Sequence, residues 1–219
     1  MINFKIDSKL KYQTIPNMVT DVLREAILNG ELKGGQQLKQ DELGGILHVS
    51  LSPVREALKN LEAEGLVKFY PNRGAVVTDL SSDEAQEIFE IRLFLESGAL
   101  ELSIPKLTET DFTKAKQLLA KTDNEKSHAK LGELNWRFHE ALYQGAQKPR
   151  LMKLINVMHN NVERYMRLYL ITLNFQAQSH IEHYALLEAC INRDIEKAQM
   201  VLRKHMEAAS KSLITYLEK

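Results

Sequence analysis

Three histidines, His139, His183 and His205, fall where helical periodicity turns an imidazole toward the interior of three different segments. His139 lies four residues after Asn135, on the face that carries Leu142 and beside Phe138. His183 shares a face with Leu187 and Cys190, and His205 lies on the stripe Ala198, Val201, Leu202, Ala209. His183 and His205 are equidistant from Asp194 in the turn Asn192-Arg193-Asp194. If the flanking helices form an antiparallel hairpin, the two rings stand at one height. A buried, unpaired ring nitrogen costs roughly 1–3 kcal/mol, so each needs a polar partner. One divalent cation would satisfy all three. Separate hydrogen bonds to Tyr or Glu would also do so, and the residues alone leave both readings open. His159 and His180 read as surface or secondary residues, and Trp136 as packing.

A second chemistry is written in Val49-Ser50-Leu51-Ser52-Pro53-Val54-Arg55-Glu56-Ala57-Leu58. Ser52 suits an N-cap and Pro53 the first helical position. Val54, Ala57, Leu58 and Leu61 then form one apolar stripe, with Arg55, Lys59 and Asn60 off it. Gly65 stops the helix. Leu66 to Tyr70 and Ala75 to Thr78 read as strands around the turn Asn72-Arg73-Gly74, the only convincing β signal in the chain. Gln40 to Leu47 supplies a preceding short helix with Leu43 and Leu47 inward. Together these make a helix-turn-helix with a β-hairpin wing, an architecture that binds DNA.

The elements that must position these groups are nearly all helical. Val19, Val22, Leu23, Ala26 and Ile27 form a stripe ending at Asn29-Gly30, and Gly34-Gly35 reads as a turn. Ser81 with Glu84 is a capping box that opens a new helix at a domain boundary. Helices are expected over about 82–103, 109–121 (opened by Thr108 with Asp111), 128–146, 149–173, 178–191 and 194–217, with a polar loop at Lys121 to Lys126. The reading is two domains: a winged helix-turn-helix over 1–78 and an all-helical effector-binding and dimerisation domain over 79–219. The fold class is mainly α.

The chain has 219 residues, 44% apolar and 26% charged, with zero net charge at pH 7. Residues 1–78 hold 10 Lys and Arg against 9 Asp and Glu. Nucleic-acid binding would therefore rest on local placement of Lys39, Arg55, Lys59 and Arg73, not on a global basic field. A single cysteine, Cys190, excludes an internal disulfide and reads as a small core residue. No run is long enough to span a membrane, and Met1-Ile2-Asn3-Phe4-Lys5 lacks a signal-peptide layout, so a cytoplasmic protein without membrane partners is expected.

The segments Val22 to Gly30, Leu38 to Leu43, Val49 to Leu58, Glu64-Gly65-Leu66-Val67 and Arg73-Gly74 resemble the winged-helix domain of the GntR superfamily of bacterial transcription regulators. The helical remainder resembles the FCD ligand-sensing domain of the FadR-like subfamily. The resemblance implies that the helix opened at Ser52 enters the major groove. There Ser50 and Ser52 can hydrogen-bond phosphate or base edges, and Arg55 can fork onto phosphate or guanine. Arg73 and Gly74 at the wing tip suit a minor-groove or backbone approach. The family commonly has arginine where this chain has Leu51, which implies an altered operator. In the helical domain the resemblance implies a site for zinc or a similar divalent cation such as nickel, with His139, His183 and His205 at the histidine positions and Asn135 at the aspartate position. A neutral ligand set favours an anionic further ligand, so that a small carboxylate effector, or the metal with solvent, completes the coordination, with Arg92 able to pair with a carboxylate. Pairing of Arg92 with Glu96 is the alternative.

The leading functional reading is a one-component repressor or activator. A homodimer binds an inverted repeat in double-stranded DNA, and a metabolite alters its affinity. A metal sensor, with the cation itself as signal, is the second. A metal-dependent hydrolase is the third, weakened because the histidine set shows no evident carboxylate base, although Glu140 and Glu182 are near in sequence.

Overall fold

A computed structural model describes residues 14–123, 125, 127–170 and 175–218. The opening residues Met1 to Lys5, Asn124 and Lys126 of the expected loop, and residues 171–173 of the expected seventh helix lie outside the described residues. The chain divides into two compact units, the first ending at Leu80 and the second beginning at Ser81.

In the first unit, α1 spans Ile15–Leu28, capped by the Thr14 hydroxyl with Pro16 in the first turn. Its stripe buries Val19, Leu23, Ala26 and Ile27, with Val22 at the edge. Next come β1 (Gln37–Leu38), α2 (Gln40–Leu47) and α3 (Leu51–Ala63), then β2 (Val67–Tyr70) and β3 (Gly74–Val77). As expected, α3 buries Val54, Ala57, Leu58 and Leu61. They pack with Leu23, Ile27, Leu32 and Leu66 in one core. Arg24 ties α1 to the end of α3 through a two-pronged bond to Glu64, Nε to Oε2 at 2.7 Å and Nη2 to Oε1 at 2.6 Å.

Two expectations are corrected. The N-cap of α3 is Ser50, not Ser52, so Pro53 is the third helical residue. Proline fits there because the N–H groups of a first turn have no intrahelical acceptor to lose. The sheet also has a third strand: β1 pairs antiparallel with β3 (Gln37 opposite Val76, Leu38 opposite Ala75), giving the order β1-β3-β2. Two residues are too few to show a period in sequence. The hairpin proper runs from Val67 opposite Val77 to Tyr70 opposite Gly74.

The second unit is helical among the described residues. It comprises α4 (Ser82–Ser103), α5 (Glu109–Thr122), α6 (His128–Tyr143), α7 (Pro149–Leu170), α8 (Phe175–Ile191) and α9 (Ile195–Leu217). Both capping boxes form, Ser81 with Glu84 and Thr108 with Asp111. The expected helix over 128–146 tightens to a 3-10 turn at Gln144–Ala146, and α8 starts three residues before the expected 178. α4 packs against α7 and α9, α5 against α6 and α8, and α8 against α9. The α8–α9 turn is pinned by Arg193, which donates to the carbonyls of Ile104 and Leu107 and lies over the Phe112 ring. Asp194 caps α9 through Lys197 N–H at 3.0 Å. Phe138, Leu142, Tyr143, Leu100, Leu119 and Leu202 are almost fully buried between these helices.

The ends of α4 and α6 meet closely. Ser103 Oγ donates to the Leu142 carbonyl at 2.6 Å, and a methyl group on Gly145 would stand 2.6 Å from that hydroxyl and 2.8 Å from the Ser103 carbonyl oxygen. Glycine is required there by space. Gly145→Ala is expected to destabilise this unit by about 1–3 kcal/mol, read as a lowered calorimetric midpoint.

Candidate metal centre and reading face

His139 on α6, His183 on α8 and His205 on α9 converge. Each is at least nine-tenths buried, and one ring nitrogen from each lies within 4.8 Å of the others. His139 Nε2 faces His183 Nε2 at 3.2 Å. The α8–α9 hairpin does bring His183 and His205 together, with ring centroids 4.6 Å apart.

The partners around the rings decide which nitrogens are bare. Tyr143 has one hydroxyl proton and donates it to Glu96 Oε2 at 2.7 Å. The Tyr143 hydroxyl oxygen stands 3.2 Å from His139 Nδ1; its own proton being committed to Glu96, it accepts there and His139 Nδ1 carries the hydrogen. Nε2 of His139 is left with a free lone pair toward the centre. On the opposite side, His205 Nδ1 donates to Glu182 Oε2 at 2.9 Å, so Nε2 is the nitrogen that Glu182 does not hold. Glu182 also accepts from Gln178 Nε2 at 2.9 Å. Of the two carboxylates near the histidines in sequence, Glu182 therefore touches the set. Glu182 is committed to orienting a ring, while Glu140 is exposed.

Burial pushes the His139 and His183 rings well below their ordinary range, reinforced for His139 by His183 and His205 and for His183 by His205. The Glu182 carboxyl is lowered, chiefly by its bond from His205. Burial, then Glu96, raises the Tyr143 phenol well above its usual value. The neutral His139 and His183 rings, beside a His205 ring whose Nδ1 is held by Glu182, make a donor set suited to a borderline cation.

Asn135 lines the same cavity, of about 420 Å³, and its Oδ1 is buried with no hydrogen-bond partner. Arg92 also lines the cavity, but its Nε is bonded to Glu96 Oε1 at 2.7 Å, so the pairing alternative is realised in the structure. The two readings of Arg92 are compatible, since Glu96 takes one guanidinium nitrogen. His159 is a site residue that sequence reasoning missed. It is buried, not at the surface; its Nε2 meets Glu163 Oε2 at 3.2 Å, its ring stacks on Trp136 at 4.1 Å, and Nδ1 has no partner. The spacing His159 to Glu163, i to i+4, was the available signal. His180 is half-buried, bonded to Asp123 at 3.0 Å, as expected of a secondary residue.

In the first unit, α3 exposes Leu51, Ser52, Arg55, Glu56 and Lys59 on one side, with Ser50 at the tip. Ser50 uses no side-chain cap bond. Arg55 Nε donates to Gln40 Oε1 at 3.3 Å. Lys39 is ion-paired with Glu42 at 3.0 Å, but both are exposed, and such pairs contribute little and open readily. At the wing, Asn72 and Gly74 take positive φ, 62° and 68°, and Arg73 is exposed with Nη2 3.4 Å from the Gly35 carbonyl.

Comparison with known proteins fits both halves. Residues 16–77 match the family model described as bacterial regulatory proteins, gntR family, and residues 87–208 match the FCD domain. The HTH-type transcriptional regulator YdhC of Bacillus subtilis (strain 168) is 28% identical over 223 residues, covering 100% of this chain and 98% of its own length. A GntR family transcriptional regulator from Pseudomonas syringae pv. tomato is similar at 32% identity and TM-score 0.60, over 99% of this chain and 90% of that one. Escherichia coli McbR/YncC shares the fold, with TM-score 0.80 at 23% identity over 94% and 99% of the two chains. Among the described residues no helix is long and apolar enough to cross a membrane.

The lowered histidines set a pH dependence. In chelator-treated protein, His139 and His183 stay neutral when folded, whereas the unfolded chain protonates them near 6.5. Stability is therefore full above that value and lost as pH falls below it, by up to about 1.4 kcal/mol per pH unit for each ring. Denaturation midpoints measured from about pH 7.5 to 5.5 should fall, with a shallower fall in His139→Gln.

Proposed function

This chain belongs to the gntR family of bacterial regulatory proteins, and we propose that it works as a DNA-reading unit governed by a metal-holding, carboxylate-receiving FCD domain. As a family member it is a DNA-binding transcription regulator, and the family and its relatives are regulators, not enzymes.

The reading of the first unit places the N-terminus of α3 in the major groove of a double-stranded operator. The free N–H groups and positive dipole end at Ser50 suit a phosphate, with the Ser50 and Ser52 hydroxyls beside it. Arg55, steadied by Gln40, is the forked donor for guanine or phosphate, and Lys39 adds backbone charge. Arg73 and Gly74 at the exposed wing approach the minor groove or backbone.

In the second unit His139, His183, His205 and Asn135 would hold one divalent cation, zinc by the chemistry of an imidazole-rich set. The supporting observation is the convergence of three buried ring nitrogens within 4.8 Å together with the orphaned Asn135 oxygen. When bound, the ion supplies a centre of about +2 that an amide and three imidazoles do not neutralise, which favours an anionic ligand. A small carboxylate fits that charge, and Arg92 on the cavity wall provides a second contact. The ligand acts by favouring one arrangement of the reading heads, a coupling of ~1–3 kcal/mol. A homodimer on an inverted repeat is supported by apolar side chains left exposed on α4: Ile91, Leu102 and Phe94, the last 79% exposed.

Arg55→Ala should abolish operator retardation in gel shifts while circular dichroism stays native; undiminished binding refutes the reading-head assignment. Metal analysis should find about one equivalent in wild-type protein and a loss of it in the His183→Ala, His205→Ala double variant. Equal contents end the metal proposal. Titrating the protein–operator complex with zinc alone and then with carboxylates separates a metal signal from a metabolite signal.

A further inference from the structure

The exposed side of α3 is polar with one exception. Ser52, Arg55, Glu56 and Lys59 carry hydroxyl or charge, but Leu51, the first residue of the helix, is a leucine 43% exposed. It contributes nothing to the α3 core stripe, which runs through Val54, Ala57, Leu58 and Leu61 on the other side. Leu51 and Arg55 are four residues apart and so share a face. Whatever Arg55 meets, Leu51 meets one turn nearer the helix tip. Its end lies near α2: a methyl group built on Gly44 would stand 3.6 Å from Leu51 Cδ2.

A single exposed leucine is ordinary on a protein surface. This one stands at the tip of a groove-facing helix, and B-DNA offers one apolar group on its major-groove edges, the C5-methyl of thymine. We propose that Leu51 is a base-reading residue that selects thymine at one position of each half-site by burying that methyl group. The inference rests on the reading that α3 enters the major groove. Ser50 and Ser52 on either side have only polar ends to present, while Arg55, one turn on, suits guanine or phosphate. The reading head then combines a hydrogen-bonded contact with an adjacent apolar one, which discriminates thymine from cytosine without any charge.

Full-length protein is used to select duplexes from a randomised pool. Each thymine of the selected sequence is then replaced singly by deoxyuridine, which keeps the pairing edge and O4 but lacks the methyl. For wild type, one thymine per half-site should show about a fourfold loss of affinity, the worth of one buried methyl. Leu51→Ala should bind the unsubstituted duplex with a similar or larger loss and show no response to deoxyuridine at that position. Leu51→Arg, taken through the same selection, should prefer guanine there. The proposal is overturned if no thymine responds in wild type, or if Leu51→Ala keeps the full deoxyuridine penalty. Failure of wild-type protein to select any duplex overturns the groove-docking reading as well, whereas selection without a methyl effect overturns the Leu51 assignment alone. Circular dichroism of both variants shows that the fold is retained.

Discussion

The helical unit depends on how its interior polar groups are partnered. Arg92, Glu96, Tyr143 and His139 form a continuous hydrogen-bonded line from α4 to α6, with Glu96 and Tyr143 wholly buried. An unpaired member would cost about 1–3 kcal/mol, so the line holds only as a whole. Its direction of donation also fixes chemistry. Because the tyrosine proton goes to glutamate, the histidine proton must go to tyrosine, and the bare nitrogen points to the centre. Glu182 does the same for His205 from the other side. The interior thus fixes the tautomers of two rings through residues that need touch no ligand.

That arrangement links the cavity to the bundle. Arg92 lines the cavity while its partner Glu96 is shared with the tyrosine that orients His139, so under the proposed function a ligand drawing on Arg92 would act on the network that orients that ring. His159, stacked on Trp136 and bonded to Glu163, brings a further unsatisfied nitrogen to the cavity. The cavity wall mixes these polar groups with apolar ones such as Phe89, Leu119 and Met206.

The reading unit solves a different problem. With zero net charge over the whole chain, a long-range basic field is not available, and recognition must come from a few groups held in place. The rigid parts are the α1–α3 clamp of Arg24 and Glu64, the core under α3, and the three-stranded wing. They leave Arg55 and Leu51 side by side on one exposed face.

Much of this was legible in sequence because it is local. Capping boxes at Ser81 and Thr108, the glycine stops and the apolar stripes are interactions within a turn or two, and they placed nearly every helix. The mirrored spacing of His183 and His205 about Asp194 also announced their meeting, since a hairpin converts equal separation into equal height. What the sequence left open was non-local. Whether three inward histidines are ligands or core residues depends on which atoms other helices present: Glu96 of α4, which takes the Tyr143 proton, and Glu182 of α8, which meets His205 on α9. The two-residue strand β1 exists only because β3 offers it a ladder, and Pro53 is the third helical residue, not the first, because the helix starts at Leu51. Residue types and spacing determined which groups were available; only packing between segments distant in the chain decided their hydrogen-bond partners, because desolvation energy is set by neighbours in space.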